Sequence, residues 1–248
     1  MKILISRVRL IALLPILFTL GACSTLRPTD DPLRQVSSDP FQGFNRGMHN
    51  FNTGADKAIL RPIAKGYKAV TPDPVENGVS NFFSNLSEPL NFLNNLLQGK
   101  VDGALNSTYR FAVNSTIGVL GLFDVADTYQ VEQKPEDFGQ TLASWGTSPG
   151  PYIVIPFLGP TNLRDGVGRI IDTAILYPNR EVTDSSQGQV GLLVLNIIDT
   201  RAKLLGVDET LDKQLDPYLF LKDAYDNSRR NAVYDGSPPE QSDDDLEF

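Results

Sequence analysis

The chain has 248 residues, 41% of them hydrophobic, with 22 basic against 30 acidic side chains and a net charge of −8 at pH 7. That acidity argues against nucleic acid as a partner and against electrostatic capture by an anionic lipid surface. One cysteine and one histidine leave little for disulfide, thiol or zinc chemistry, while the length suits a single domain with ample material for a core.

The chain opens with Lys2, Arg7 and Arg9 around the start of the apolar run LIALLPILFTLGA. A basic region followed by an apolar stretch ending in small residues is a secretory signal over residues 1–22, not a helix of the mature protein. Its removal takes away those three cations and no acid, so the mature chain carries about −11. Any membrane contact beyond an anchor must then be apolar. The single cysteine, Cys23, stands in LGAC, which resembles the lipobox of bacterial lipoproteins. The resemblance implies cleavage before Cys23, a diacylglycerol on its thiol and an acylated amine. Two or more acyl chains anchor stably, because each buried CH₂ contributes roughly 0.8 kcal/mol. Ser24 in place of an aspartate points, by resemblance to Gram-negative sorting, to the outer membrane.

Residues 23–38 are polar and carry no hydrophobic period, so they read as a tether. A domain follows over residues 39–234, and residues 235–248, acidic with Pro and Ser, read as a disordered tail. Helix signals dominate the domain. Ser87 is placed to cap a helix with Glu88 and Pro89 in its first turn, running through LNFLNNLLQ to Gly99. A second helix is expected from Asp102 to a stop near Gly118. Thr161 or Asn162 opens a third, stopped by Pro178. QVGLLVLNIIDTRAKLLG is a fourth, ended by Gly206, and Asp216-Pro217 starts a fifth through Arg230. Alternating β patterns are scarce, so the expected class is mostly α, with irregular Gly/Pro-rich connections.

Charge is unevenly spread. Residues 77–99 contain one charged side chain, Glu88, while 111–123 and 138–163 contain none. These segments would supply a buried core, yet they are also rich in Asn, Ser, Gly and Thr, which a plain core does not need. In NFLNNLLQ, Asn91, Asn94 and Asn95 fall at helical spacings while Phe92, Leu93, Leu96 and Leu97 cover most of the remaining surface. Such a stripe either hydrogen-bonds to a neighbouring helix or lines a polar passage through an apolar body.

Candidates for catalysis are few. The motifs of zinc proteases, serine hydrolases and P-loop enzymes are absent. His49 reads as a structural side chain, and Glu136 and Asp137 are adjacent, so on a helix they would not face one another. The expectation is a protein that is not an enzyme and holds neither metal nor cofactor.

Five segments occur in order: DPFQGFNRGMHNFN, NGVSNFFSNLSEPLNFLNNLLQG, RFAVNSTIGVLGLFDVA, EDFGQTLASWG and GPYIVIPFLGPTNLRDGVG. Together they resemble the MlaA (VacJ) lipoproteins, from about Asp39 to Asp172, with Gln42 where a Glu is usual and Ala143-Ser144 replacing a Gly-containing pair. Beyond Asp172 the similarity thins to TRAKLL and DPYLFLKDAY. The resemblance implies a single ring-like helical domain partly embedded in one leaflet of the outer membrane. It implies an amphipathic channel that removes mislocalised phospholipid from the outer leaflet, a soluble periplasmic lipid carrier and trimeric porins as partners. In that setting the charge-free, proline-studded segment from Ser148 to Pro160 suits immersion, with Tyr152, Ile153, Val154, Ile155, Phe157 and Leu158 contacting the membrane. Asn91, Asn94 and Asn95 would line the lipid path, since neutral amides lower the cost of a passing headgroup without trapping its phosphate. The alternatives are a non-transporting scaffold that braces a porin or assembly complex, and a lipid-modifying periplasmic enzyme.

Overall fold

The computed structural model describes residues 39–175 and 182–239, so Cys23, the tether, Pro178 and the end of the acidic tail lie outside the described residues. The described chain is mostly helical. Helix α1 (Gln42–Ala55) runs through a π-helical turn (Asp56–Leu60) into α2 (Arg61–Val70). Pro62, at the start of α2, has no N–H to give to the preceding turn, and the widened π turn just before it absorbs the mismatch. Helix α3 (Asp73–Leu97) is followed by α4 (Val101–Thr116), short α5 (Val125–Thr128) and α6 (Phe138–Ser144). Strands β1 (Tyr152–Ile155) and β2 (Gly159–Asn162) make one antiparallel hairpin in which Tyr152 pairs with Asn162 and Ile155 with Gly159. Helices α7 (Leu163–Ile175), α8 (Ser186–Lys203), α9 (Asp208–Asp212) and α10 (Pro217–Val233) complete the order, with a 3-10 turn (Leu204–Val207) joining α8 to α9.

Two of the expected caps form. Asn162 Oδ1 accepts from Asp165 N at 2.8 Å and opens α7, and Asp216 Oδ1 accepts from Leu219 N at 3.2 Å and opens α10. Ser87 does not start a helix: α3 begins 14 residues earlier, at Asp73, and runs through Pro89. The turn that the proline loosens is held by side chains instead. Ser87 Oγ donates to the Ser84 carbonyl at 2.6 Å, and Gln133 Nε2 reaches the same carbonyl at 3.2 Å.

The expected core is inverted. Among the described residues, 20 polar or charged residues are buried against 10 hydrophobic ones, and 37 large hydrophobic side chains are exposed. All seven of the largest fully buried side chains, from Glu88 to Ser107, are polar. Helix α3 shows the pattern in full: its buried residues are Glu76, Asn85, Glu88, Asn91, Asn94 and Asn95, while Val75, Phe92, Leu96 and Leu97 are exposed. Helix α4 answers with Gly103, Ala104, Ser107, Arg110 and Asn114 buried, a small and polar stripe at helical spacing. The apolar side chains of the runs 77–99 and 111–123 therefore face mostly outward, whereas the run 138–163 buries Phe138, Leu142, Tyr152 and Val154. A small apolar cluster of Tyr152, Val154 and Tyr218, with Met48 and Tyr225 against it, sits where the hairpin meets α1 and α10.

The hairpin is tied to α1 by two asparagines seven residues apart. Asn45 Nδ2 donates to the Tyr152 carbonyl at 3.0 Å and Asn45 Oδ1 accepts from Val154 N at 2.9 Å. Asn52 repeats the arrangement with the Ile155 carbonyl at 3.0 Å and Phe157 N at 2.8 Å. A lone two-stranded hairpin is marginal in isolation, and these amides satisfy the edge of β1 that β2 leaves open.

Candidate functional site

The asparagine stripe of α3 faces protein. Asn91 Nδ2 donates to Glu88 Oε2 at 3.1 Å, and its Oδ1 accepts from Glu136 N at 3.2 Å. Asn94 bridges two helices: Nδ2 donates to Asp172 Oδ1 at 3.3 Å on α7, and Oδ1 accepts from Thr141 Oγ1 at 2.8 Å on α6. Asn95 Nδ2 returns to the Asn91 carbonyl at 2.8 Å. All three side chains are at most 3% exposed. Of the two roles open to the stripe, Asn91 and Asn94 display the hydrogen-bonding one, because a buried amide needs partners and theirs include neighbouring elements, whereas Asn95 bonds within its own helix. Asn95 also borders a cleft that Asn91 and Asn94 do not line.

Two charged centres extend this network. Arg110 donates through Nε to Glu88 Oε1 at 2.8 Å and through Nη2 to Asp124 Oδ2 at 2.6 Å, and also reaches the Val131 carbonyl. Arg229, from α10, clamps Asp137 at 2.6 and 2.9 Å and Asp165 at 2.8 Å. Asp137 also caps α6 by accepting from Gln140 N at 2.9 Å. Burial pushes the Asp165 carboxyl up, but Arg229 and Arg164 together outweigh it and hold the group below the usual carboxylate range. Asp172 makes no ion pair of its own, and burial keeps its carboxyl above that range despite the Phe138 N–H and Asn94 amide it accepts from and the nearby Arg229 charge. Glu136, also pushed up by burial, pairs with Lys100 at 2.8 Å, whereas its neighbour Asp137 is held by Arg229.

Two sizeable concavities border these groups. A cleft of about 940 Å³ lies among Asn95, Lys100, Gly103, Glu136, Arg229 and Asp235. Asp235, which the sequence assigns to the loose tail, is held here by Lys100 at 2.6 Å. A groove of about 810 Å³ runs between the hairpin and α7, walled by Ile153, Ile155, Leu158, Leu163, Val167 and Ile170 with Arg169 at its side. Both fall within the usual size of small-ligand sites.

The segment expected to meet the membrane divides by the strand's period. Tyr152 and Val154 are 6% and 3% exposed and belong to the apolar cluster. They have no face left for lipid, because alternate residues of a strand point to opposite sides. Ile153 and Ile155 line the groove instead, and Phe157 and Leu158, at the hairpin tip, are 70% and 60% exposed. A second exposed apolar turn follows α4: Ile117, Val119, Leu120, Leu122 and Phe123. Val119 and Leu120 there hold φ of 52° and 60°, a conformation that costs a branched residue and persists only where surroundings impose it. Sequence reading marked the charge-free run 111–123 but gave this turn no role; its density of apolar residues next to glycines was the available signal. Arg229 and Arg169 were missed because nothing local distinguishes them from surface arginines.

No group of three or more His, Cys, Asp or Glu among the described residues is placed to hold a metal ion. His49 packs edge-on against Tyr218 at 5.9 Å, and burial lowers its pKa. The arrangement can hold an amphiphile between apolar walls and paired charges.

The model of the family described as MlaA lipoprotein matches residues 37–232. The chain is 39% identical over 196 residues to the intermembrane phospholipid transport system lipoprotein MlaA of Shigella flexneri, covering 77% of each chain. It is 38% identical over 196 residues to the protein of the same name from Escherichia coli K12, again covering 77% of each. A chain from a structure concerned with the basis for maintenance of bacterial outer membrane lipid asymmetry superposes with a TM-score of 0.70 at 35% identity, over 81% of this chain and 100% of that one. The chain belongs to the MlaA lipoprotein family.

Proposed function

We propose that this chain is an outer-membrane lipoprotein of intermembrane phospholipid transport, which maintains lipid asymmetry by moving phospholipid out of the outer leaflet, without chemical change, to a soluble periplasmic carrier. The observation that carries this reading is the inverted distribution of side chains among the described residues: a hydrogen-bonded polar interior under 37 exposed large hydrophobic residues. A protein in water keeps its extended apolar patches small, whereas a body immersed in lipid satisfies its backbone and polar groups internally and shows apolar side chains outward. Among the described residues no helix is long and apolar enough to cross a membrane, which suits immersion in one leaflet of a Gram-negative outer membrane, with acylated Cys23 as the anchor. Trimeric porins are the proposed membrane neighbours.

Expression in a Gram-negative strain lacking its own family member tests the reading. Restored outer-membrane barrier function and reduced surface-accessible phospholipid are expected from the wild-type chain, and from Cys23→Ala neither. Full restoration by Cys23→Ala would remove the lipoprotein assignment. Porin association without any change in surface phospholipid would favour the scaffold.

A further inference from the structure

Arg169 on α7 is exposed, and among the described residues its guanidinium makes no hydrogen bond or ion pair. It walls both the apolar groove and a small pocket of about 90 Å³ that also takes in Asp137, Asp165, Asp172, Tyr225 and Arg229. Of the three carboxylates, two are already paired, Asp137 with Arg229 and Asp165 with both Arg229 and Arg164. Asp172 is 8% exposed and accepts only from neutral donors, the Asn94 amide at 3.3 Å and Phe138 N at 3.0 Å. A buried carboxylate without a counter-ion is costly.

The pocket thus holds one cation and one anion that are not paired with any charge. They lie three residues apart on one helix face, about 5–6 Å between Cβ atoms, and they do not pair with each other. In a phosphoethanolamine headgroup two carbons separate the phosphate from the ammonium, a comparable span. A glycerol headgroup would bring no charge to Asp172, and a trimethylated ammonium is bulkier and has no N–H to donate.

We propose that the groove seats an acyl chain of a phospholipid whose phosphate pairs with Arg169 and whose primary ammonium meets Asp172, so that the site is matched to phosphatidylethanolamine over phosphatidylglycerol or phosphatidylcholine. The assignment rests on the phospholipid-transport reading. It gives the groove a polar end as well as apolar walls, and it makes α7 the element that sets headgroup preference.

The test uses the full acylated protein in mild detergent, incubated with equal amounts of the three phospholipids and read by native mass spectrometry. Wild type is expected to retain phosphatidylethanolamine in preference to the other two. Arg169→Ala, at an exposed position, should lower retention of all three by roughly fivefold, the effect of losing one partly exposed charged contact, with Arg169→Lys restoring part of it. Asp172→Asn should remove the preference by lowering retention of phosphatidylethanolamine to the level of the other two, whose retention should stay near wild type. The preference is measured on wild type, so this part of the test does not depend on how a variant folds. Wild type that retains all three lipids equally, or retention unchanged in Arg169→Ala, would overturn the assignment while leaving the transport reading in place. Wild type that retains no phospholipid would instead overturn the transport reading.

Discussion

Val154 N donates to Asn45 Oδ1 at 2.9 Å, so a helix side chain occupies the place of a third strand beside the hairpin. Asn45 is fully buried and its amide also reaches Asp39 Oδ1 at 2.9 Å. Asn45→Ala leaves the Val154 N–H and the Tyr152 carbonyl without partners, at about 1–3 kcal/mol for each unsatisfied buried group. Asn52 makes the same pair of bonds nearer solvent, where water replaces them, so Asn52→Ala should cost under about 1 kcal/mol. Thermal unfolding of the two variants, with hydrogen exchange at the Val154 amide, reads the difference. Equal losses would show that burial does not set the cost.

Asn94→Leu is expected to destabilise by about 2–4 kcal/mol, because both Thr141 Oγ1 and Asp172 lose a buried partner and the added bulk enters a packed interface. A lipid-path lining role for Asn94 makes the opposite prediction, normal stability with accumulated surface phospholipid. Melting temperature and surface lipid measured on the same variant separate them.

How far the sequence carried these results can be read from the same helix. Periodicity placed Asn91, Asn94 and Asn95 on one face, and that face exists. It could not say whether the face looks at a channel or at α6 and α7, because Thr141 and Asp172 are 47 and 78 residues away from Asn94 in the chain. Caps at Asn162 and Asp216 were legible because a cap is a local bond. The start of α3 was misjudged for the same local reason: Ser87-Glu88-Pro89 has the form of an N-terminus, while one of the contacts that hold the turn comes from Gln133 in a distant loop. The direction of burial was the largest loss. Apolar stretches read as core by default, and nothing in the period of a helix states whether its apolar face meets protein or lipid.

Close backbone approach between α6 and α7 gives a prediction about glycines. A methyl built on Gly168 would lie 2.4 Å from Gly139 N and 2.8 Å from its Cα. Backbone cannot yield as a flexible side chain can, so Gly168→Ala should cost about 1–3 kcal/mol or more. Gly191 in α8 has nothing within 4 Å, and Gly191→Ala should gain up to about 1 kcal/mol from helix propensity. Chemical denaturation of both variants checks the opposite signs.

The buried carboxylates give pH dependences of opposite sense. Asp165 is held below its ordinary value in the fold, so its contribution is present above about pH 4 and is lost as pH falls through the lowered folded value. Asp172 is held above its ordinary value, so its contribution is present below about pH 4 and is lost as pH rises through the raised one. Asp165→Asn should therefore lower the melting temperature at neutral pH, with the gap from wild type closing in acid. The gap for Asp172→Asn should instead be smaller at neutral pH than in acid. Parallel pH dependences for the two variants would contradict the assigned directions.

The hairpin tip is the part of the segment from Ser148 to Pro160 that remains available to lipid. Phe157 takes φ of 62°, is held by Asn52 through its N–H, and stacks edge-on against Phe51 at 5.1 Å, so its ring is presented outward by a fixed backbone. Leu158 beside it is 60% exposed. Burying a Phe or Leu side chain contributes about 1.5–3 kcal/mol, so replacing both with Asp should weaken membrane association by tenfold or more once the acyl anchor is absent. The measurement is flotation of the unacylated chain from Ser24 onward with phospholipid vesicles, comparing wild type with the double variant. Both positions are exposed, so the melting temperature should hold while binding falls. Binding that survives the double change would shift the contact to the apolar turn after α4, where Leu120→Asp and Phe123→Asp repeat the experiment. Loss of binding in the hairpin variant alone would leave that turn facing something other than lipid.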